Sequence, residues 1–221
     1  MNVNVTLLFS VLRYEEIGEA YLRGLERRVE KGQPIERSAS VASFFVSRVD
    51  TKIDQALEER GRPELRGMAA VANAKLAYAS FARMFSGERW QALLARGAHV
   101  QRPLWASTST KNPAYPDTLY VDELIGPDTV TTMPDATLDA ARDHATAERS
   151  IDRDVEQAWA VLEQIRRAGV DADEITLREL VDEGVKAFAG SFEALIDTIE
   201  RKIRQPSRTS PSSYWVSAFL P

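Results

Sequence analysis

The chain has 221 residues, 44% of them hydrophobic and 28% charged, which is enough apolar material for one sizeable core or two small ones. Its 28 basic and 33 acidic residues leave a formal charge of −5, with no clustered positive segment of the kind that grips nucleic acid. With no cysteine and only His99 and His144, disulfides, thiolate metal sites, thiol nucleophiles and a three-imidazole metal centre are excluded.

No apolar run approaches the roughly 20 residues that span a bilayer. The opening MNVNVT lacks the basic start and apolar stretch of a signal peptide, so a cytoplasmic α/β protein is expected. Residues 3–9 (VNVTLLF) read as a strand buried on both faces. Helical periodicity follows over 12–31, stopped by Gly32 and Pro34. A second buried strand is expected at 41–46, then a helix over 49–59 and a break at Gly61-Arg62-Pro63. One long Ala-rich helix is expected over 63–85, with Pro63 in its first turn, and a short one over 90–95. The third strand spans 99–107, and after a polar loop Asp117 is placed to cap a short helix ending at Glu123. Residues 129–132 form the fourth strand and 135–143 the helix after it.

Strands alternating with helices imply βαβ units and a parallel sheet. From Thr146 the chain is helical, over 151–168 and 177–203, and the Ser-, Pro- and aromatic-rich stretch 205–221 reads as a disordered tail. The expected organisation is four βα units over 1–143, a helical extension over 144–204, and the tail. A closed (β/α)8 barrel takes about 250 residues and eight strands, so these four units make either an open sheet or part of a barrel.

Three places put polar residues at a strand's carboxyl end, where α/β folds assemble ligand sites. Asn2, Asn4 and Thr6 share one strand face, either as a polar edge stripe or as hydrogen-bonding groups lining a barrel interior. Ser43 lies on the second strand, and Arg48 follows it at the start of a helix. There the guanidinium and the helix N-terminus suit a phosphate, while the plain alternative is a surface pair with Asp50 or Asp54. Ser107 and Lys111 fall in ASTSTKNP, a hydroxyl-rich loop that suits an anion as readily as a solvated turn. His99 and His144 are expected to be structural or solvated, and Trp90, Trp105 and Trp159 to be packing residues.

Taken together, NVNVTLLFS, SVASFFVSRVDTKID, GMAAVANAKLAY, RPLWASTSTKNPAYPDTLYVDELIGPDTVTTMP and DEGVKAFAGSFEALIDTI resemble transaldolase in its longer bacterial form. The resemblance covers roughly residues 2–204. It implies the second half of a (β/α)8 TIM barrel, strands five to eight, plus C-terminal helices. It also implies an enzyme of the pentose phosphate pathway that uses no cofactor and no metal. Such an enzyme moves a dihydroxyacetone unit between sugar phosphates through a Schiff-base lysine. The expected ligands are fructose 6-phosphate, sedoheptulose 7-phosphate, erythrose 4-phosphate and glyceraldehyde 3-phosphate, with neither nucleic acid nor membrane as a partner.

Residue by residue, Asn4 and Thr6 match the catalytic pair on the fifth strand, where the threonine helps position the water used in proton transfer. Ser43 matches a serine that contacts the sugar chain, Arg48 the phosphate-binding arginine, and Ser107 a serine of the same phosphate pocket. Lys111 stands where many relatives carry Arg after a shorter loop, and serves as a point charge. The Schiff-base lysine of the fourth strand has no counterpart. Of Lys31, Lys52, Lys75, Lys111, Lys186 and Lys202, only Lys111 lies at a strand's top. The chain alone is therefore expected to be a catalytically inactive fragment that at most binds sugar phosphate, pairs with another chain, or self-associates through open sheet edges and an apolar inner face.

Overall fold

The computed structural model describes residues 2–204. The expected tail, 205–221, lies outside the described residues. Two compact units divide the chain, Met1–Asp182 and Glu183–Pro221.

The first unit is built on four parallel strands in the order β1-β2-β3-β4: β1 Val3–Leu8, β2 Ser40–Phe45, β3 Gln101–Ala106 and the short β4 Val130–Thr131. Helices α1 (Val11–Glu30), α2 (Ser47–Glu59), α3 (Ala69–Met84), α4 (Glu88–Leu94), α5 (Leu119–Asp122) and α6 (Asp135–His144) fill the connections and follow the last strand. The expected alternation of strands and helices and the parallel sheet are both present. After them come α7 (Val155–Arg167), the single turn α8 (Ala172–Glu174) and a π-helical turn, Ile175–Glu179. Helix α9 (Leu180–Arg204) crosses into the second unit, where Val185, Phe188, Phe192, Leu195 and Ile199 recur at three- and four-residue spacing. Among the described residues no helix is long and apolar enough to cross a membrane.

Local chemistry sets most helix ends. Ser10 caps α1 by accepting from the Arg13 N–H at 3.1 Å. Gly32 closes that helix in the left-handed region (φ 64°), so that Gly32 N–H reaches Val29 O and Gln33 N–H reaches Arg28 O. Gly61 (φ 66°) ends α2 with the same pair of bonds, from Gly61 N–H to Glu58 O and from Arg62 N–H to Leu57 O.

The register separates the sheet's two faces. Ser40 pairs with Gln101, Ala42 with Pro103 and Phe44 with Trp105, and all six are buried beneath helices. Phe44 lies edge-on to Trp105 at 6.0 Å and to Tyr14 of α1 at 6.3 Å, which makes this face the centre of the core. The alternate residues form the other face: Asn4 and Arg102 are exposed, and Val41, Phe45, Leu104 and Val130 are half-buried.

Several expectations need correction. Strand β1 is not buried on both faces: Val3, Asn4 and Thr6 are exposed, because β1 is an edge strand with one neighbour and only one face covered by helices. The other face is not uniformly apolar, since Asn4, Ser43 and Arg102 interrupt Val41, Phe45 and Leu104. The helix expected over 63–85 is two pieces, a 3₁₀ turn at Pro63–Leu65 and α3 from Ala69, separated by Gly67 at φ 73°. Asp117 does not cap α5: Thr118 holds the cap position, and Asp117 instead accepts from His144 Nε2 at 2.9 Å. Trp90 and Trp105 are buried, but Trp159 is 62% exposed on α7.

Candidate functional site at the carboxyl ends of the strands

At the end of β1 the ladder slips. Pairing with β2 runs in register from Val3 to Val5, breaks, and resumes at Leu8 opposite Phe44. The bulge places Leu7 at φ 61°, a left-handed conformation that costs a non-glycine residue about 1–2 kcal/mol. Ser107, just past β3, is held in the same region at φ 58°. Backbone strain of this kind collects where a site over-determines its geometry. Here it flanks Thr6 on one strand and coincides with an expected ligand residue on another.

Of the six expected residues, Asn4 and Ser43 bond to each other, Ser107 bonds to Ser47, and Thr6, Arg48 and Lys111 stand apart. Asn4 Oδ1 accepts from Ser43 Oγ at 2.7 Å, joining β1 to β2 on the open face. Thr6 is exposed at the bulge beside them. The hydroxyls of Ser47 and Ser107 are 2.8 Å apart, and Ser47 N–H donates to Ser107 O at 3.0 Å, so the start of α2 is tied to the end of β3. Ser47 was not singled out by sequence reasoning, although its place beside Arg48 in VSRVD was a usable signal. Lys111 is exposed, with Nζ donating to Ser109 Oγ at 2.7 Å. It opens on a cavity of about 210 Å³ whose walls include Thr51, Asp54, Glu58, Arg66 and Tyr115.

Arg48 stands in the first turn of α2, half-buried, with its guanidinium carbon 5.6 Å from the centre of the Phe45 ring. The surface pair with Asp50 or Asp54 is not formed, because both carboxylates are engaged elsewhere. Asp50 accepts from Ala70 N–H at 2.7 Å and from the Tyr120 hydroxyl at 2.8 Å. Asp54 accepts from Gly67 N–H at 2.8 Å and from the Tyr115 hydroxyl at 2.6 Å. Burial pushes the Asp50 carboxyl up to about 6 against the pull of those bonds, and burial also raises Asp54. Arg48 makes no ion pair with any described residue, and α2 begins without a side-chain cap, so this helix start presents a fixed charge and a positive dipole end together.

No lysine lies on a strand among the described residues. Lys75 is the surprise: it is 7% exposed on α3, with Nζ donating to Glu123 Oε2 at 2.9 Å. That ion pair ties α3 to the segment after α5, on the helical side of the sheet. A cavity of about 550 Å³ occupies the opposite, amino end of the strands, between Asn2, Asn4, His99, Arg102 and Asp128. It is larger than the Lys111 cavity, but sites in parallel α/β folds form at the carboxyl ends, where the paired serines and Arg48 are found.

The profile of the family described as Transaldolase/Fructose-6-phosphate aldolase matches residues 1–199. The transaldolase of Saccharopolyspora erythraea is 49% identical over 207 residues, covering 93% of this chain and 56% of that protein. The transaldolase of Acidothermus cellulolyticus is 48% identical over 211 residues, covering 94% and 56%. Transaldolase 2 of Nostoc punctiforme is 44% identical over 217 residues, covering 92% and 57%. The chain thus spans a little over half the length of these relatives. It belongs to the transaldolase/fructose-6-phosphate aldolase family.

Proposed function

We propose that this chain is the phosphate-binding portion of a transaldolase: residues 1–143 correspond to strands five to eight of a (β/α)8 barrel, and 144–204 form a C-terminal helical extension. In the assembled enzyme it serves the transfer of a dihydroxyacetone unit between sugar phosphates. The observation that carries this reading is Arg48, a half-buried guanidinium with no carboxylate partner at the uncapped start of α2, beside the Ser47–Ser107 hydroxyl pair. Arginine offers a phosphate two parallel charge-assisted bonds, and the paired hydroxyls add neutral donors. Ser43 and Asn4, joined across β1 and β2, suit the sugar chain, and Thr6 at the bulge suits a water held for proton transfer.

Covalent catalysis by this family's chemistry needs a desolvated lysine facing the reacting carbonyl. The strands offer none, and Lys75 is directed to Glu123. On its own the chain therefore binds sugar phosphate without turning it over, and the Schiff-base lysine comes from the remaining barrel strands. Its open sheet edges, β1 and β4, and the half-covered face between them favour pairing with another polypeptide or self-association.

The test is calorimetric titration with fructose 6-phosphate and with fructose. Arg48→Ala is expected to weaken the phosphorylated ligand about tenfold or more and to leave fructose unchanged, since charge-assisted bonds contribute about 1.5–3 kcal/mol each before screening. Equal losses for both ligands would place Arg48 outside the phosphate pocket. Borohydride reduction in the presence of fructose 6-phosphate is expected to leave the intact mass unchanged, and a stable adduct would refute the silence of the isolated chain.

A further inference from the structure

Two buried carboxylates, at the cavity on which Lys111 opens, have no part in the reading just given. Asp50 and Asp54 sit one turn apart on α2, 2% and 9% exposed, and burying carboxylates is costly unless every lone pair is used. Each accepts one backbone N–H, Asp54 from Gly67 just before α3 and Asp50 from Ala70 in its first turn, and one phenolic hydroxyl from beyond β3. Asp50 thereby caps α3, whose own cap residue Met68 supplies no side-chain acceptor. Gly67 completes the interlock: a Cβ there would stand 2.8 Å from the Tyr115 ring, and its φ of 73° disfavours any other residue.

The phenols matter because of what lies between them and β3. The connection 107–118 is anchored at its start by Ser47–Ser107 and by Thr108 Oγ1 donating to Thr132 O at 2.6 Å. From Ser109 to Ala114 the recorded hydrogen bonds stay inside the loop, Lys111 to Ser109 and Ala114 N–H to Asn112 Oδ1. The next anchor to another element is the Tyr115 hydroxyl on Asp54, followed by Asp117 on His144 of α6 and, in α5 just past the connection, Tyr120 on Asp50. Where Lys111 stands is therefore decided by a strut that ends on the helix whose first turn carries Arg48.

We infer that Asp50 and Asp54 are positioning residues for the anion site: through Tyr120 and Tyr115 they fix the 107–118 connection against α2, so that Ser107 and Lys111 are presented to the anion held at Arg48. The inference rests on the phosphate reading of Arg48 given above. It adds four residues to that reading, none of which touches the ligand.

The experiment is a double-mutant cycle on the full chain, with inorganic phosphate as the probe and binding followed by heteronuclear NMR titration. The combined Tyr115→Phe and Tyr120→Phe variant removes two hydroxyls while leaving the Asp50 cap on α3 intact. In the parent, Lys111→Ala is expected to raise the phosphate Kd about fivefold, and in the double Tyr→Phe background by less than about 1.5-fold, because an unbraced lysine no longer contributes. A merely structural role for the tyrosines lowers the urea midpoint but leaves the Lys111 effect the same in both backgrounds, and that additivity would overturn the inference. So would a Lys111→Ala variant that binds phosphate like the parent while Arg48→Ala does not. If Arg48→Ala itself binds phosphate normally, the phosphate reading fails first.

Discussion

The two faces of one sheet differ more than any two elements of the fold. On the covered face Phe44, Trp105 and Ala42 are fully buried against helices, and their neighbours interdigitate with Tyr14 and Phe9. One residue along the same strands, Asn4, Val41, Ser43, Phe45, Arg102 and Leu104 alternate polar with apolar and remain exposed or half-buried, apart from Ser43. The covered face supplies stability by removing apolar area from water, roughly 25 cal/mol per Å². The open face, which carries the Asn4–Ser43 pair and the bulge at Leu7, leaves more of its area in water and contributes less of that term.

Four outcomes would break or sharpen this contrast, beginning with the largest. Phe44→Ala is expected to destabilise by about 3–5 kcal/mol, against about 1–2 kcal/mol for Phe45→Ala one residue away, measured by urea unfolding. Equal costs would erase the distinction between the faces.

Asp50 comes second. Its folded carboxyl is pushed up to about 6 by burial, so the native state holds its proton more tightly than the unfolded chain does. The Asp50 contribution is therefore favourable below about pH 4 and is lost as pH rises to about 6, by up to roughly 3 kcal/mol. Asp50→Asn, always neutral, is expected to gain on the parent over that window in paired urea titrations. A constant difference between the two would show that the buried site ionises freely.

Third, a charge placed on the open face, as in Val41→Lys, is expected to weaken self-association about tenfold by sedimentation, or about 1.4 kcal/mol, with little change in unfolding midpoint. A parent chain that runs as a sharp, cooperatively melting monomer would contradict open-face pairing altogether.

The smallest effect belongs to His144, whose ring is held above its ordinary value by hydrogen bonds to Asp117 and Asp143. A raised histidine contributes stability below its unfolded value of 6.5 and loses it as pH rises through the folded one. His144→Gln is expected to fall slightly below the parent at pH 5.5 and to match it at pH 8.5, by thermal melting. A gap at pH 8.5 as large as at 5.5 would exclude a charged pair.

The fold was legible where the signal is local. Gly32 and Gly61 mark helix ends because a left-handed glycine acts within a few residues of itself. The three long strands fall close to their expected limits because β-branched and aromatic runs favour extended backbone, although the burial such a run suggests for β1 did not follow. Of the polar residues picked out along the strands, the structure joins Asn4 to Ser43 and Ser107 to Ser47, although Asn4 lies near the amino end of β1 rather than its carboxyl end. What misled was anything decided by a distant neighbour. Asp50 and Asp54 carry the spacing of surface partners for Arg48, yet they are buried and taken by Tyr115, Tyr120 and the start of α3.

The amino-acid sequence by itself determined the alternation of strand and helix, the glycine ends of α1 and α2 and the lack of a lysine on any strand of 2–204. Each of these depends on residue type and on spacing within a turn or a strand. Only the tertiary structure decided that β1 is half exposed, that Gly67 splits the 63–85 segment, that Lys75 is buried on Glu123, and that two aspartates staple the 107–118 connection to α2. Those outcomes depend on which segments far apart in the chain come into contact: Gly67 bends where it does to admit the Tyr115 ring, and Asp54 is buried because that same tyrosine and Gly67 cover it.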